Sequence, residues 1–443
     1  MSFIPITDYD RQLMFEAIGV KHIDDLFKDI PKDILLKEDV DLPEALSETA
    51  AMRHMTELAE KNCPTKNFAG AGAYEHYVPA AVDYLSSRSE FITAYTPYQP
   101  EVSQGTLTAI FEFQTMMCRL TGMDLSNASM YDGATAMTES VIMACAVRRR
   151  SRVLVSQAVH PNYRAVLDTY AWASDITVET IPATDGVTDA KSLSDAMDDT
   201  VAAVVIQTPN FFGSIEDLRG FADKIHEHKG VLISVVTEAM SLGMLTPPGD
   251  MGADVVCGEA QSFGNYIGFG GPMLGFIASK NEFMRRIPGR LVGATSDEGG
   301  RKACVLTLQT REQHIRRERA TSNICTNEGL LALRAVMYLS MVGPKLKDLA
   351  RLNHALAGRL KQGLMGAGLV PVFDAPCFNE FIMRLPNDVS VEALEAAGFL
   401  PGIDMGQYYK ELKGCRLFCV TEVLTPGDID SFCAAMAEET GIR

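Results

Sequence analysis

Between residues 151 and 278 the chain alternates short apolar runs with periodic helical stretches, and this rhythm restricts the fold more than any other feature. Apolar runs occur at 152–156, 176–181, 201–207, 231–236, 253–257 and 273–278. Helical stretches at 162–174, 189–197 and 218–228 separate them. Alternation at this spacing predicts a mainly parallel sheet flanked by helices, an α/β fold. Ligands of such sheets gather at the carboxyl ends of the strands. His160, the run Gln207-Thr208-Pro209-Asn210, Thr237, Glu238 and Ser262 all fall just past predicted strand ends. Any one of them alone could be an inconsequential loop residue; their shared position predicts a common cleft.

The remainder divides around this sheet. Residues 1–62 are polar and helical, with Thr7-Asp8 capping a helix to residue 18, a second helix opening at His22 and a third capped by Ser47. Their apolar stripe is too small for a core of its own, so an arm (1–75) is expected to pack on another domain or subunit. The large domain then spans 76–320 and a small C-terminal domain 321–443. In the latter, a helix at 345–367, strands at 380–385 and 416–420 and a closing helix at 425–439 are expected. Residues 285–319 read as basic and irregular, serving either as an anion site or as partners for surface acids.

Three loops carry candidate chemistry. Residues 68–77 are glycine-rich and aromatic. Tyr95, Tyr98 and Glu101 lie in a segment stiffened by Pro97 and Pro100, ahead of an amphipathic helix at 106–121. A loop packed by its own aromatics is the plainer reading. Gly133, Ala134 and Thr135 precede a helix at 137–150, where small residues would let an anion approach free N–H groups; a simple helix cap explains them equally well.

Composition excludes several classes. The 443 residues are 47% hydrophobic and 22% charged, with a net charge of −17, which argues against nucleic acid or an anionic membrane as partner. No uninterrupted apolar run reaches the roughly 18–20 residues of a bilayer span. The first residues lack the pattern of a secretory signal. Ten cysteines are scattered without metal-ligand spacing, and Cys415 and Cys419 read as buried thiols. A reducing cytoplasm and no structural metal are expected.

Residues 252–277 run from an apolar strand through a polar turn and a glycine loop into a second strand. Together with 68–77, 95–101, 127–135 and Thr321-Ser322-Asn323-Ile324-Cys325-Thr326, they give the chain a full-length resemblance to the glycine cleavage system P-protein family, in the form divided between two chains. The resemblance implies an aspartate-aminotransferase-like fold, the large domain of pyridoxal-phosphate enzymes. It implies a subunit of glycine dehydrogenase (decarboxylating), which acts on glycine and passes an aminomethyl group to the lipoyl arm of H-protein. The Schiff-base lysine is then expected in a second chain, because residues 258–271 contain none. Gln261-Ser262 stands where His-Lys is expected, so Ser262 holds the Schiff-base position and Thr237 that of the pyridinium-pairing aspartate. Gly133, Ala134, Thr135 and His160 are expected to be relics of a cofactor site. Tyr95, Tyr98 and Glu101 are candidates for reaching the partner's site. A heterotetramer of two chains of each kind is also implied. The competing readings are an independent enzyme using Lys280 and a non-catalytic binding or regulatory protein.

Overall fold

In the computed structural model the described residues are 5–36, 38, 40–62, 65–92, 96–309, 313–320, 322, 324, 327–386 and 389–442. The chain forms two units, Met1–Cys63 and Pro64–Arg443.

The first unit contains α1 (Asp8–Ile18) and α2 (Glu48–Ala59), capped by Thr7 and Ser47. The helix expected from His22 is instead a 3-10 segment, Ile23–Phe27. There the Asp25 carboxylate accepts from the N–H groups of Lys21 and His22, a local alternative to longer helix. None of these helices buries a residue, so Leu13, Met14, Ile18, Leu26 and Phe27 stay exposed.

The second unit is built on a seven-stranded sheet: β1 (Leu125–Ser126), β2 (Arg152–Ser156), β3 (Thr177–Ile181), β4 (Val201–Gln207), β5 (Val231–Val236), β6 (Val255–Glu259) and β7 (Gly275–Ser279). The order is β1-β7-β6-β5-β4-β2-β3. β7 runs antiparallel to both neighbours and the other pairings are parallel. Successive residues point to opposite faces, and each face has its own core. Leu154, Val204, Leu232 and Val256 pack on one side; Val153, Val205, Ile233 and Val255 pack on the other.

Helices α3 (Gln104–Thr121), α4 (Gly133–Arg148) and α5 (Pro161–Ala173) flank the sheet. α4 begins a turn earlier than expected. Asp132 and Thr135 form a reciprocal capping box, so residues 133–135 are the first helical turn and not a loop before it. Gly329–Gly366 is long and apolar enough, by length and composition alone, to cross a membrane. It is divided by a 3-10 turn at Gly343–Lys345, and its first part, α6 (Gly329–Val342), buries Ala332, Ala335 and Leu339 in the core. Residues 285–319 are not simply irregular. They contain a hairpin, β8 (Leu291–Ser296) with β9 (Lys302–Thr307), whose edges are half-exposed and so lack a strong apolar signal.

A smaller antiparallel sheet follows, ordered β10 (Val370–Pro371), β11 (Glu380–Arg384), β13 (Cys415–Cys419), β12 (Ile403–Asp404). Cys415 and Cys419 are buried free thiols. Residues 66–75, read from sequence as the end of the arm, belong to the second unit, where residues 66–67 form a separate two-stranded sheet beside this one. Lys66–Asn67 pairs in parallel with Phe399–Leu400, and Phe68 stacks on Phe432 at 4.1 Å between ring centroids.

Candidate functional site

Five of the residues expected past the strand ends form a buried row, whereas Thr208 and Asn210 turn to Glu216 instead. The His160 N–H donates to Gln207 Oε1 at 2.8 Å, and Gln207 Nε2 donates to Thr237 Oγ1 at 3.1 Å. Ser262 Oγ donates to Glu238 Oε1 at 2.9 Å. All five side chains are 5% exposed or less. His160 is fixed in one tautomer: the Asn162 N–H donates to Nδ1, so Nε2 carries the proton and donates to the Ala71 carbonyl at 2.8 Å. Burial pushes its pKa down to about 4, and Arg164 acts the same way against the Ala71 carbonyl. The ring is neutral at pH 7.

Over this row lies the loop 68–77, which binds the small sheet to the large one. Ala71 has a left-handed backbone (φ 60°), and its N–H donates to Glu380 Oε1 at 2.6 Å. Tyr74 OH donates to Glu380 Oε2 at 2.6 Å. Burial raises the Glu380 pKa to about 7, although these two donors oppose the shift. His76 sits between two carboxylates, with Nε2 3.1 Å from Glu238 Oε2 and Nδ1 2.9 Å from Glu422 Oε2. Burial would lower its pKa, but the two carboxylates outweigh it and raise it to about 10. His76 is therefore an imidazolium donating from both nitrogens.

The residues present do not fit a covalently held pyridoxal phosphate. The Ser262 hydroxyl is committed to Glu238, and the Thr237 hydroxyl accepts from Gln207. At the start of α4, the Gly133 N–H donates to Glu259 Oε2 at 3.1 Å, and the Thr135 N–H to Asp132 Oδ1 at 2.7 Å. The anion position that Gly133, Ala134 and Thr135 suggest thus holds side chains of the chain itself. The expected cleft is a packed interior at this point.

Lys280 does not substitute. Its N–H and ammonium both bind Asp254, which precedes β6, whereas Ser262 follows β6. Five residues of strand, about 17 Å, separate the two ends. Among the described residues no cluster of His, Cys, Asp or Glu could hold a metal ion.

Tyr98 and Glu101 lie elsewhere in this unit, beside the hairpin. Tyr98 is half-exposed, and its hydroxyl accepts from Arg290 Nη2 at 3.0 Å. Arg290 is buried, lies over the Tyr98 ring at 5.4 Å, and also donates to Asn327 Oδ1 at 3.3 Å. Glu101 and Gln104 line a cleft of about 650 Å³ with Arg301 and Lys302. Tyr95 lies outside the described residues, as do Thr321, Asn323, Cys325 and Thr326. Sequence reasoning missed Glu259, Glu380 and Glu422, and read His76 and Arg290 only as members of the loop 68–77 and of the basic stretch 285–319. For Glu259 and Glu380 a signal existed, a carboxylate inside an otherwise apolar strand pattern.

The family description "Glycine cleavage system P-protein" matches residues 1–436. The chain belongs to the glycine cleavage system P-protein family. Relatives named "Probable glycine dehydrogenase (decarboxylating) subunit 1" include one from Moorella thermoacetica, 48% identical over 441 residues, covering 98% of this chain and 99% of that protein. One from Bacillus subtilis is 48% identical over 447 residues, covering 100% and 99%. Among solved structures, a glycine decarboxylase (P-protein) of the glycine cleavage system in inhibitor-bound form superposes with a TM-score of 0.91. It is 43% identical and is covered fully by 99% of this chain. A Thermus thermophilus aspartate aminotransferase shares the fold at 16% identity, with a TM-score of 0.59 over 85% of this chain and 99% of that one. This P-protein chain therefore has the fold type I architecture of pyridoxal-phosphate enzymes, as its sequence implied. The designation "subunit 1" among its relatives implies a second subunit.

Proposed function

We propose that this chain is the lysine-less subunit of a two-chain glycine decarboxylase. A partner chain carries the Schiff-base lysine and binds pyridoxal phosphate covalently. The assembled enzyme decarboxylates glycine and passes the aminomethyl group to the lipoyl arm of H-protein. One observation supports the assignment: in a chain that matches the P-protein family over residues 1–436, Ser262, which the resemblance puts at the Schiff-base position, is hydrogen-bonded to the buried Glu238. A hydroxyl so placed cannot form an imine. The exposed apolar side chains of the first unit supply surface for assembly, and a permanent interface of this kind covers well over ~2,000 Å². Tyr98 and Glu101 are this chain's contribution to the partner's site, with Tyr95 in the same segment. The phenol is held by Arg290 and remains half-exposed, as a group presented to a neighbour must be.

The test is reconstitution. Glycine–bicarbonate exchange is expected only when this chain and a lysine-bearing P-protein chain are combined, and neither alone should exchange. Exchange by this chain alone would overturn the assignment.

A further inference from the structure

The N-terminus of α4 and the carboxyl end of β6 meet at one carboxylate. Glu259 is the last residue of β6, three positions before Ser262, and is 2% exposed. Its Oε2 accepts from the Gly133 N–H at 3.1 Å. Its Oε1 accepts from the N–H groups of Leu274 at 2.7 Å and Gln261 at 3.0 Å. Three N–H groups converge on a single carboxyl side chain. Convergent backbone donors at a helix N-terminus are the arrangement that holds a phosphate. The neighbouring space is closed too. Tyr163 stacks on His160, with ring centroids 5.0 Å apart and 29° between planes, and a Cβ built on Gly133 would stand 2.1 Å from the Tyr163 hydroxyl.

We infer that the Glu259 carboxyl group fills, from within the chain, the position where a phosphate would sit at the start of α4, and that removing it uncovers a binding site for a phosphate group. The inference rests on reading residues 133–135 as the relic of that position, not on the chain's role in glycine decarboxylation. Charge points the same way. Burial raises the Glu259 pKa to about 7 against its N–H donors, and the Asp132 carboxylate adds to that shift, so a phosphate entering here would meet the Asp132 charge and an already occupied set of donors. Without the Glu259 side chain, three buried N–H groups lose their acceptor and the volume of the side chain opens. An inorganic phosphate supplies acceptors for all three. A residue that merely filled space at the strand end would leave no such demand.

The experiment titrates the full-length chain with inorganic phosphate at constant ionic strength, chloride serving as the control. Binding is read by calorimetry and by thermal unfolding. Wild type should show no saturable response. Glu259→Ala and Glu259→Ser should bind phosphate saturably, with the folding equilibrium shifted roughly tenfold at ten times Kd. Glu259→Gln keeps the shape and one carbonyl acceptor, and should respond less than either. Saturable binding to wild type would overturn the inference. So would folded Ala and Ser variants that ignore phosphate, or unfolded ones that phosphate fails to restore. Because the titration uses this chain alone, its failure would leave the exchange assay with the partner chain as an independent measure of the subunit's role.

Discussion

Replacing His76 by glutamine should weaken the joint between the two sheets, and the size of the effect follows from its surroundings. His76 is the imidazolium between Glu238 and Glu422, and the side chains of all three are 7% exposed or less. Removing the cation from a buried ion pair costs about 3–5 kcal/mol, because the remaining charge has no partner. Here two carboxylates are left facing each other. The double variant His76→Gln/Glu422→Gln removes one charge of each sign and should cost less than His76→Gln alone. The pH dependence is equally specific. The folded pKa of about 10 lies above the ordinary histidine value near 6.5, so the stabilisation is complete below about pH 6.5. It is lost as pH rises towards 10, because the folded state then binds the proton that the unfolded state has released. Over that window the loss is about 1.4 kcal/mol per pH unit. The slope halves as pH reaches the folded pKa, so the gap between wild type and variant should narrow by about 2 kcal/mol between pH 8 and pH 10. Urea unfolding at fixed pH values measures it. Equal stabilities with parallel pH profiles would refute a charged His76, as would strictly additive costs in the double variant.

Tyr98→Phe in the assembled complex should lower glycine–bicarbonate exchange about 10-fold, one hydrogen bond's worth, and Arg290→Met should lower it similarly. The two should not add, because Arg290 acts by holding the Tyr98 hydroxyl; additive losses would contradict the pairing. Ser262→Lys should not restore an internal aldimine. The new ammonium would pair with Glu238, and Glu259 still fills the anion cradle, so an aldimine absorbance band on adding pyridoxal phosphate would count against both points. Borohydride reduction of wild type with pyridoxal phosphate, followed by peptide mapping, should find no stoichiometric pyridoxyl-lysine at Lys280. In the first unit, Leu13→Asp and Phe27→Asp together should reduce co-purification with the partner chain while leaving the circular dichroism of this chain unchanged. Undiminished co-purification would place the partner contact elsewhere.

The sequence by itself determined the central strands of the large sheet, because buried strands are apolar along their length and punctuated by turns, whereas the two-residue edge strand Leu125–Ser126 carries no such run and is not legible in it. Val201–Gln207 and Val231–Val236 are legible to the residue for that reason. It also determined the absence of a lysine at 258–271 and the family. The β8–β9 hairpin escaped because only Leu291 and Val292 are buried, the rest is half-exposed or exposed, and no hydrophobic alternation marks it. What only the tertiary structure decided is the state of the relic site. His76 and Glu238 are 162 positions apart, and Tyr77 and Glu422 are 345 apart, so no local pattern links them. Gly133 and Glu259 are separated by 126 positions, and a carboxylate at a strand end has no preferred partner until the sheet brings a helix N-terminus to it. Local sequence sets which segments are strands and helices through side-chain periodicity. The pairing of buried charges depends on which segment ends the fold places together, and that is a property of the whole chain.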